Sequence, residues 1–366
     1  MRAFVEAECP IGGIRELAQT PNGFDPTLWR RGGDLGLLSV SIPQQDGGLG
    51  QGIAATCAVA EEVGRGLLPG PFASTIVAAH VLAAAGSREQ RREVLPAILA
   101  GDQIVTVALC DDTGPYKPIS AVAENAGGSY VLNGSTCPAE HADVADWLLV
   151  VARVDERRLV QFLVPRNAGI TITPHPTLDL TRRLFVVSFD GVAVQADALV
   201  GDIGVATIER AIDIASVLVA AGSVGGATRV LEMSTTHARE RVQFGRAIGS
   251  FQAVKHKCAN MLIALEGCRA ATSHAATALD NGASGASLAA SSAKSFVGDA
   301  YPRIAGDALQ IHGGMGFTWE LDVHLYLRRA KADHAIFGTP RWHRERLCRL
   351  LGLATTRGPR SGSAPR

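Results

Sequence analysis

The hydrophobic positions of the chain repeat with a helical period in its first and last parts and form short strand-like runs in between. Residues 1–103 carry apolar side chains at intervals of three and four, as in the Ala-rich segment PFASTIVAAHVLAAAG, which predicts helices. Residues 104–200 change to β-branched runs separated by Gly, Asn, Asp and Pro, which predicts strands. Residues 201–353 return to long helical segments. These blocks predict a multidomain α+β fold with an N-terminal helical domain, a middle antiparallel β domain and a C-terminal bundle of the four-helix type.

The middle block contains six predicted strands, which are the runs IVTVAL, SYVLNGS, DWLLVVARV, RLVQFLVP, GITITPHP and LFVVSFDGVAV. So many short runs in one stretch of this length predict a small antiparallel sheet or barrel. Before them, the segment 87–102 begins with a Ser N-cap and ends at Gly101, which predicts another helix. The last residues, 354–366, are rich in Gly, Pro, Ser and Arg and predict a disordered tail.

Composition narrows the class of protein. Of the 366 residues 47% are hydrophobic, and 35 basic residues balance 35 acidic ones, so the formal net charge is zero. This balance argues against binding to nucleic acid or to a membrane surface. No apolar run reaches the roughly 18 residues of a membrane span, and the N-terminus does not resemble a signal peptide, which predicts a cytoplasmic protein. Seven cysteines without a CxxC pair and ten histidines without metal-ligand spacing predict a reduced protein without a metal site.

Two segments of the C-terminal block carry candidate chemistry. The segment 239–256 reads RERVQFGRAIGSFQAVKH and places Arg241 at the end of a helical pattern, followed by Phe244 and Gly245 in a loop-like stretch and by a new helix. The segment 310–318 reads QIHGGMGFT and places a Gly-Gly pair after an amphipathic run, where a backbone can approach another molecule closely. Taken singly, Arg241 fits a solvated cation at a helix end as well as a binding residue, and Gly313–Gly314 fits a simple helix break as well as a binding segment.

Taken together, the two segments resemble the acyl-CoA dehydrogenase family. The spacing Arg241-x-x-Phe244-Gly245-x-x-Ile248-x-x-Phe251-Gln252, followed by Gln310-x-x-Gly313-Gly314-x-Gly316-Phe317, is similar to that of the family. The resemblance continues in order along the chain, in LGLLSVSIPQQDGGLG (35–50), GGSYVLNGS (127–135), ADWLLVVAR (145–153) and YLRRAKADHAIFGT (326–339).

The resemblance implies a role for these segments in holding FAD. In the family, FAD lies across a subunit interface. One subunit holds the flavin ring. Its neighbour contacts the adenosine-pyrophosphate half of the same FAD through the Arg-x-x-Phe-Gly and Gln-x-x-Gly-Gly elements. The guanidinium of Arg241 suits pyrophosphate oxygens, and the ring of Phe244 suits adenine or ribose. The residues expected to contact FAD are Arg241, Gln243, Phe244, Gln252, Gln310, Gly313 and Gly314.

The chain departs from the family where the flavin ring and the catalytic base belong. The segment ALCDDTGPYK (108–117) replaces the family's Thr/Ser-Glu-Pro and Gly-Ser elements, and Pro138 and Glu140 stand where an aromatic and a hydroxyl face the ring. The family's catalytic glutamate has two alternative positions, which are occupied here by Phe337 and Ala215. Neither side chain can accept a proton. The nearby Asp213 and Glu209 are interpreted as solvated helix carboxylates.

These departures favour a non-catalytic partner subunit of a heteromeric, α2β2 acyl-CoA dehydrogenase, of the kind that occurs in actinobacterial sterol side-chain degradation. Such a heterotetramer acts on an acyl-CoA, including bulky steroid thioesters, and this chain alone is expected to be inactive. Two alternatives stay open. One is a self-sufficient flavoenzyme with an unrecognised base, and the other is a flavin-free binding or scaffold protein.

Overall fold

The computed structural model describes residues 1–109, 119–123, 128–154, 159–201 and 205–353, with the backbone alone for 119–123. Most of the replaced segment 108–117 and the predicted tail 354–366 lie outside the described residues. The N-terminal helices are α1 (Arg2–Glu8), α2 (Ile11–Gln19), α3 (Pro26–Asp34), α4 (Gly52–Arg65), α5 (Phe72–Ala85) and α6 (Leu95–Leu99). The C-terminal helices are α7 (Val205–Glu240), α8 (Gln252–Asp280), α9 (Ala286–His312), α10 (Val323–Ala335) and α11 (Pro340–Leu350).

The strands of the middle block form one sheet. They are β1 (Val105–Ala108), β2 (Ile119–Ala123), β3 (Tyr130–Glu140), β4 (Trp147–Arg153), β5 (Leu159–Pro165), β6 (Thr171–His175) and β7 (Leu184–Val194). The order across the sheet is β1-β4-β2-β3-β7-β6, and β5 pairs with β4. The three-part α+β fold predicted from the hydrophobic periods is confirmed, whereas the boundaries near 103 and 200 stay a prediction.

Two details of the sheet differ from the sequence prediction. Strand β2 was not among the predicted runs, because ISAVA contains mostly small residues and its strand conformation depends on pairing with β3 and β4. The sheet is also not wholly antiparallel, since β1 and β2 both run parallel to β4. The remaining ladders, β2–β3, β3–β7, β4–β5 and β6–β7, are antiparallel.

The sheet separates two hydrophobic cores, and β4 contributes to both. Leu149 and Val151 belong to the large core that the sheet shares with the helices. Leu148 and Val150 point to the opposite face, where they pack with Phe162 in a smaller core. Because successive side chains of a strand alternate between faces, a strand buried on both sides reads as a continuous apolar run, as WLLVVA does.

Local signals explain several helix boundaries. The predicted cap at Ser87 is confirmed, because its Oγ accepts from the Gln90 N–H at 3.1 Å while Gln90 Oε1 accepts from the Ser87 N–H at 3.0 Å. This capping pair leads into a π-helical turn, Gln90–Val94, and then into α6. The predicted stop at Gly101 adopts a φ of 76°, a conformation that glycine takes without strain.

Helix α7 is the central element of the C-terminal bundle. It packs against α4, α8 and α9, and many of its buried positions hold Ala, Gly or Ser. By length and composition alone α7 could cross a membrane, but 78% of its apolar window is buried inside the fold. Helix α7 is therefore apolar because it is packed against other helices in the core.

Candidate functional site

The loop-like segment after α7 is a tight β-hairpin. Strands β8 (Val242–Gln243) and β9 (Arg246–Ala247) pair antiparallel, and Phe244 and Gly245 form the two-residue turn with φ angles of 54° and 75°. Two consecutive positive φ values are typical of a type I′ turn, for which Asn-Gly is the usual pair. Phe244 adopts this conformation at a cost, and the residue is 91% exposed. Since the core of this chain gains little from the exposed ring, the hairpin is suited to contact another molecule.

Further aromatic and basic groups surround the turn. The rings of Phe244 and Phe251 meet edge to face with centroids 6.0 Å apart. The guanidinium of Arg246 lies over the Phe251 ring at 4.1 Å. Gln252 is exposed and begins α8, with Phe251 at the N-cap and no side-chain hydrogen bond at that cap. Arg246 was not among the residues selected from the sequence, because cation–π geometry cannot be read from spacing.

The Gly-Gly segment lies directly at the end of α9. Gly313 follows the last helical residue with a φ of 63°, and its N–H reaches the carbonyls of Leu309 and Gln310, so this position requires glycine for the turn. Gly314 does not have a positive φ, and a Cβ added there would meet no atom within 4 Å. Neither the backbone nor the packing of this chain requires glycine at 314. A glycine there suits the close approach of a second molecule.

Two histidines join the hairpin segment to the Gly-Gly segment. His237, near the end of α7, stacks on His312, at the end of α9, with ring centroids 4.4 Å apart and an interplanar angle of 23°. The His237 carbonyl accepts from the Arg241 N–H at 2.9 Å, and His312 Nδ1 lies 2.8 Å from the Ala308 carbonyl. Burial, with His312 and Arg241 adding to it, lowers the pKa of His237, which favours the neutral ring. Separately, the two histidines have no distinctive sequence pattern, so sequence reasoning missed the pair.

The seven residues predicted to contact FAD are all exposed. They are Arg241, Gln243, Phe244, Gln252, Gln310, Gly313 and Gly314. Within the described ranges no acceptor contacts the guanidinium of Arg241, so this cation is available to an external anion. The histidine stack brings the two segments that carry these residues together. Their role in cofactor binding stays a prediction.

The two positions predicted to correspond to the family's catalytic base are buried and apolar. Ala215 is fully buried in α7, and Phe337, which follows α10, is 4% exposed with a φ of 52°. The carbonyl oxygen of Phe337 lies 3.0 Å from His343 Nε2. Neither side chain offers an atom that could take a proton from a substrate.

The carboxylates near Ala215 belong to an ion-pair cluster. Asp213 is 2% exposed, lies 2.5 Å from Arg346 Nη1, and accepts from Ser287 Oγ at 2.5 Å. Glu209 also pairs with Arg346 and is only partly exposed. The interpretation of Asp213 as a solvated carboxylate is therefore wrong, because its position on α7 faces a buried arginine. An acceptor neutralised in this way is poorly suited to act as a base.

Glu140 is likewise held by protein partners. It is 3% exposed, accepts from Ser74 Oγ at 2.6 Å and pairs with Arg182 Nε at 3.0 Å. Arg182 also pairs with Asp333, and its Nη1 lies 2.7 Å from Asp333 Oδ1. The carboxylate at 140 is therefore bound into a buried salt-bridge network, and its correspondence to the family's hydroxyl beside the flavin ring stays a prediction.

Comparison with known proteins places these features in a family. Models of the acyl-CoA dehydrogenase N-terminal domain and C-terminal domain match residues 1–102 and 202–351. The chain is 32% identical to the acyl-CoA dehydrogenase IpdE2 of Mycolicibacterium smegmatis over 346 residues, which cover 94% of each protein.

Two solved heteromeric structures are similar over nearly the whole chain. One is the ChsE4-ChsE5 complex from Mycobacterium tuberculosis, with a TM-score of 0.89, 30% identity, and coverage of 97% of this chain and 96% of the other. The second is a variant of the Tcur3481-Tcur3483 steroid ACAD, with a TM-score of 0.87, 29% identity, and coverage of 96% and 95%. On its sequence matches and its fold, the chain belongs to the acyl-CoA dehydrogenase family.

Proposed function

We propose that this chain is the non-catalytic subunit of a heteromeric acyl-CoA dehydrogenase. In this role it contributes the adenosine-side contacts to an FAD that a catalytic partner subunit mainly holds. The observation that carries the proposal is the contrast between the two halves of the site. Arg241 and Phe244 are exposed and available, whereas the base positions hold Ala215 and Phe337.

The residues of the chain fit one half of FAD and not the other. Arg241 would pair with the pyrophosphate, Phe244 would cover the adenine or ribose, and the backbone at Gly313 and Gly314 would allow close approach. The flavin ring would accept the hydride that leaves the acyl group. On the ring side, Glu140 already has two protein partners and adds a negative charge, so this half does not fit.

The partner and the substrate follow from the same proposal. ChsE4-ChsE5 is a complex, and the Tcur3481-Tcur3483 protein is described as a steroid ACAD. These relatives support an α2β2 assembly acting in the cytoplasm on a bulky acyl-CoA thioester, such as one with a steroid side chain. In that assembly the partner supplies the base, and this chain completes the cofactor site.

The test is to purify the chain alone and together with a candidate catalytic subunit, and to measure flavin absorbance and dehydrogenation of acyl-CoA. We expect the chain alone to carry no flavin and to be inactive, and the complex to carry one FAD per pair of subunits. Flavin and activity in the chain alone would establish a self-sufficient enzyme. A stable complex without flavin would favour a binding or scaffold protein.

A further inference from the structure

The segment that begins with Gly313 and Gly314 has little side-chain packing of its own. Of residues 313–318, only Gly316 is buried, and a Cβ there would come within 3.0 Å of the Leu309 carbonyl oxygen. The large side chains of the segment, Met315 and Phe317, are exposed. The position of this backbone therefore depends on how the segment is held at its two ends. The end of α9 holds the first, through the N–H of Gly313.

Arg15 of α2 ties the other end of the segment to the N-terminal helices. Its Nη2 donates to the Leu321 carbonyl at 3.0 Å and to Asp322 Oδ1 at 2.7 Å. Its Nε also donates to Asp322 Oδ1, at 3.1 Å, and its Nη1 donates to the Trp319 carbonyl. We call residues 319–322 the Trp319 turn. A side chain some 300 positions away in sequence thus holds the turn that leads from the Gly-Gly segment into α10.

Asp322 gives up a local contact in order to bind Arg15. It stands at the N-cap of α10, where an aspartate usually accepts from N–H groups of the first turn, but its side chain makes no such bond. Asp25, at the N-cap of α3, does cap its helix, by accepting from the N–H groups of Thr27 and Leu28. The carboxylate of Asp322 is therefore directed to the contact with α2 and not to the start of its own helix.

The geometry of this contact suits positioning better than stability. Arg15 and Asp322 are both partly exposed, with 22% and 28% of their side chains accessible, and partly exposed ion pairs contribute little to stability. The planar guanidinium instead holds three nearby backbone positions in one direction, since it binds two carbonyls and the carboxylate of the same turn. Such a contact fixes the course of the backbone through the Trp319 turn.

We infer that Arg15 is a positioning residue for the cofactor. By fixing the Trp319 turn, it keeps the backbone at Gly313 and Gly314 where it can approach the phosphates of FAD, although Arg15 itself does not contact FAD. A segment that is already ordered loses less conformational freedom when the cofactor binds, which favours binding. The inference rests on the proposed function. It gives the N-terminal helices a part in cofactor binding, whereas the predicted cofactor residues all belong to the C-terminal bundle.

The experiment measures FAD binding by the assembled complex, from the fluorescence of flavin released on dilution. Arg15→Ala should raise the dissociation constant of FAD by roughly 2- to 30-fold. The matched control is Arg65→Ala, which removes another partly buried ion pair between an N-terminal helix and the bundle, with Glu232 of α7, and should leave the constant unchanged. An unchanged constant in a folded and assembled Arg15 variant would overturn the inference, and so would an equal rise in the control.

Asp322→Asn tests the same contact from the other side. It keeps a residue that suits the N-cap of α10 but removes the charge that Arg15 binds, so it should also weaken FAD binding. The double variant should bind FAD no more weakly than Arg15→Ala alone, because both changes break one contact. Additive losses would show that Arg15 acts elsewhere. If Arg15→Ala does not fold, unchanged FAD binding by Asp322→Asn would still overturn the inference.

Hydrogen exchange of the same complexes separates positioning from general stability. In Arg15→Ala, backbone amides of residues 313–322 should exchange faster than in the wild type, while those of the hairpin, 242–247, should not change. Faster exchange throughout the chain would show a general loss of stability and overturn the positioning role. Failure of the proposed function has a different signature, which is a wild-type complex without flavin, or flavin and activity in the chain purified alone. A flavin-loaded complex that is insensitive to Arg15→Ala would contradict only the positioning role.

Discussion

His237 and His312 stack with their ring centroids 4.4 Å apart, and this contact joins the ends of α7 and α9. The hairpin with Phe244 follows one helix, and the Gly313–Gly314 turn follows the other. Two segments separated by about sixty residues in sequence therefore reach one surface. The contact gives the predicted cofactor residues a common place in the structure, and the following experiments test what that surface does.

Arg241→Ala should weaken the retention of FAD by the assembled complex. A charge-assisted contact of this kind is worth about 1.5–3 kcal/mol, which corresponds to roughly a 10- to 100-fold rise in the dissociation constant. The measurement is the flavin-to-protein ratio after dialysis. Arg92→Ala, an exposed arginine on the π-helical turn near α6, is the matched control and should keep the wild-type ratio. Unchanged flavin content in the Arg241 variant would contradict the assignment.

Phe244→Asn should change stability and flavin retention in opposite directions. Asn followed by Gly suits the type I′ turn, so the variant relieves an unfavourable φ of 54° and should raise the free energy of unfolding of the isolated chain by about 1 kcal/mol. Loss of the ring should lower flavin retention by the complex. Urea unfolding and flavin absorbance report the two effects. Phe244→Tyr preserves the aromatic ring and should retain flavin normally. An equal loss of flavin in the Asn and Tyr variants would argue against a stacking role of the ring.

No carboxylate of this chain should be essential for dehydrogenation. Asp213→Asn, Glu209→Gln and Glu140→Gln should leave the rate per bound flavin within a few-fold. The equivalent change at the partner's base should lower that rate by about 10²–10⁴-fold, because a positioned base is lost. A collapse of the rate per flavin in any one of the three variants would show that this chain carries its own base.

The same three variants should differ in their free energy of unfolding. Asp213 and Glu140 neutralise buried arginines, so removing either negative charge should lower the free energy of unfolding by about 3–5 kcal/mol. Glu209 is partly exposed, and its replacement should cost less than about 1 kcal/mol. Urea unfolding of each variant measures the difference, and Glu209→Gln serves as the control for loss of charge alone.

Acid should destabilise the fold through the half-buried His80 and the buried His141 and His343. Burial lowers the pKa of His80 to about 4 and those of His141 and His343 to about 3, with nearby arginines or Lys294 adding to the effect. Below pH 6.5 these histidines are protonated in the unfolded chain, whereas in the folded chain they stay neutral until about pH 4 or 3. Each histidine should then lower the free energy of unfolding by about 1.4 kcal/mol per pH unit of acidification.

Urea unfolding at several pH values between about 7 and 5 measures this slope. His343→Gln should reduce the slope by roughly the share of one histidine, because it removes one of the three groups. An equal slope in the variant and in the wild type would show that His343 has the same pKa in the folded and the unfolded chain. Because the shifts are downward for histidine, the stability is present above pH 6.5 and is lost toward acid.

The sequence by itself determined the three-block order of helices, strands and helices, since hydrophobic period is a local property of the chain. It also determined the family, through the Arg241–Phe244–Gly245 and Gln310–Gly313–Gly314 spacings, and the absence of a proton acceptor at Ala215 and Phe337. Residue identity is enough for these inferences, because no folding can turn alanine or phenylalanine into a base. The cap at Ser87 was predictable for the same local reason.

Only the tertiary structure decided how distant residues meet. Strand β2 exists because β3 and β4 pair with it, and the histidine stack exists because α7 and α9 end side by side. The environment of a carboxylate is likewise a property of the fold. Asp213 and Glu140 look like ordinary acidic residues in sequence, but the chain brings Arg346 and Arg182 to them from more than 130 and 40 residues away. Burial and charge neutralisation depend on such long-range contacts, which no local pattern encodes.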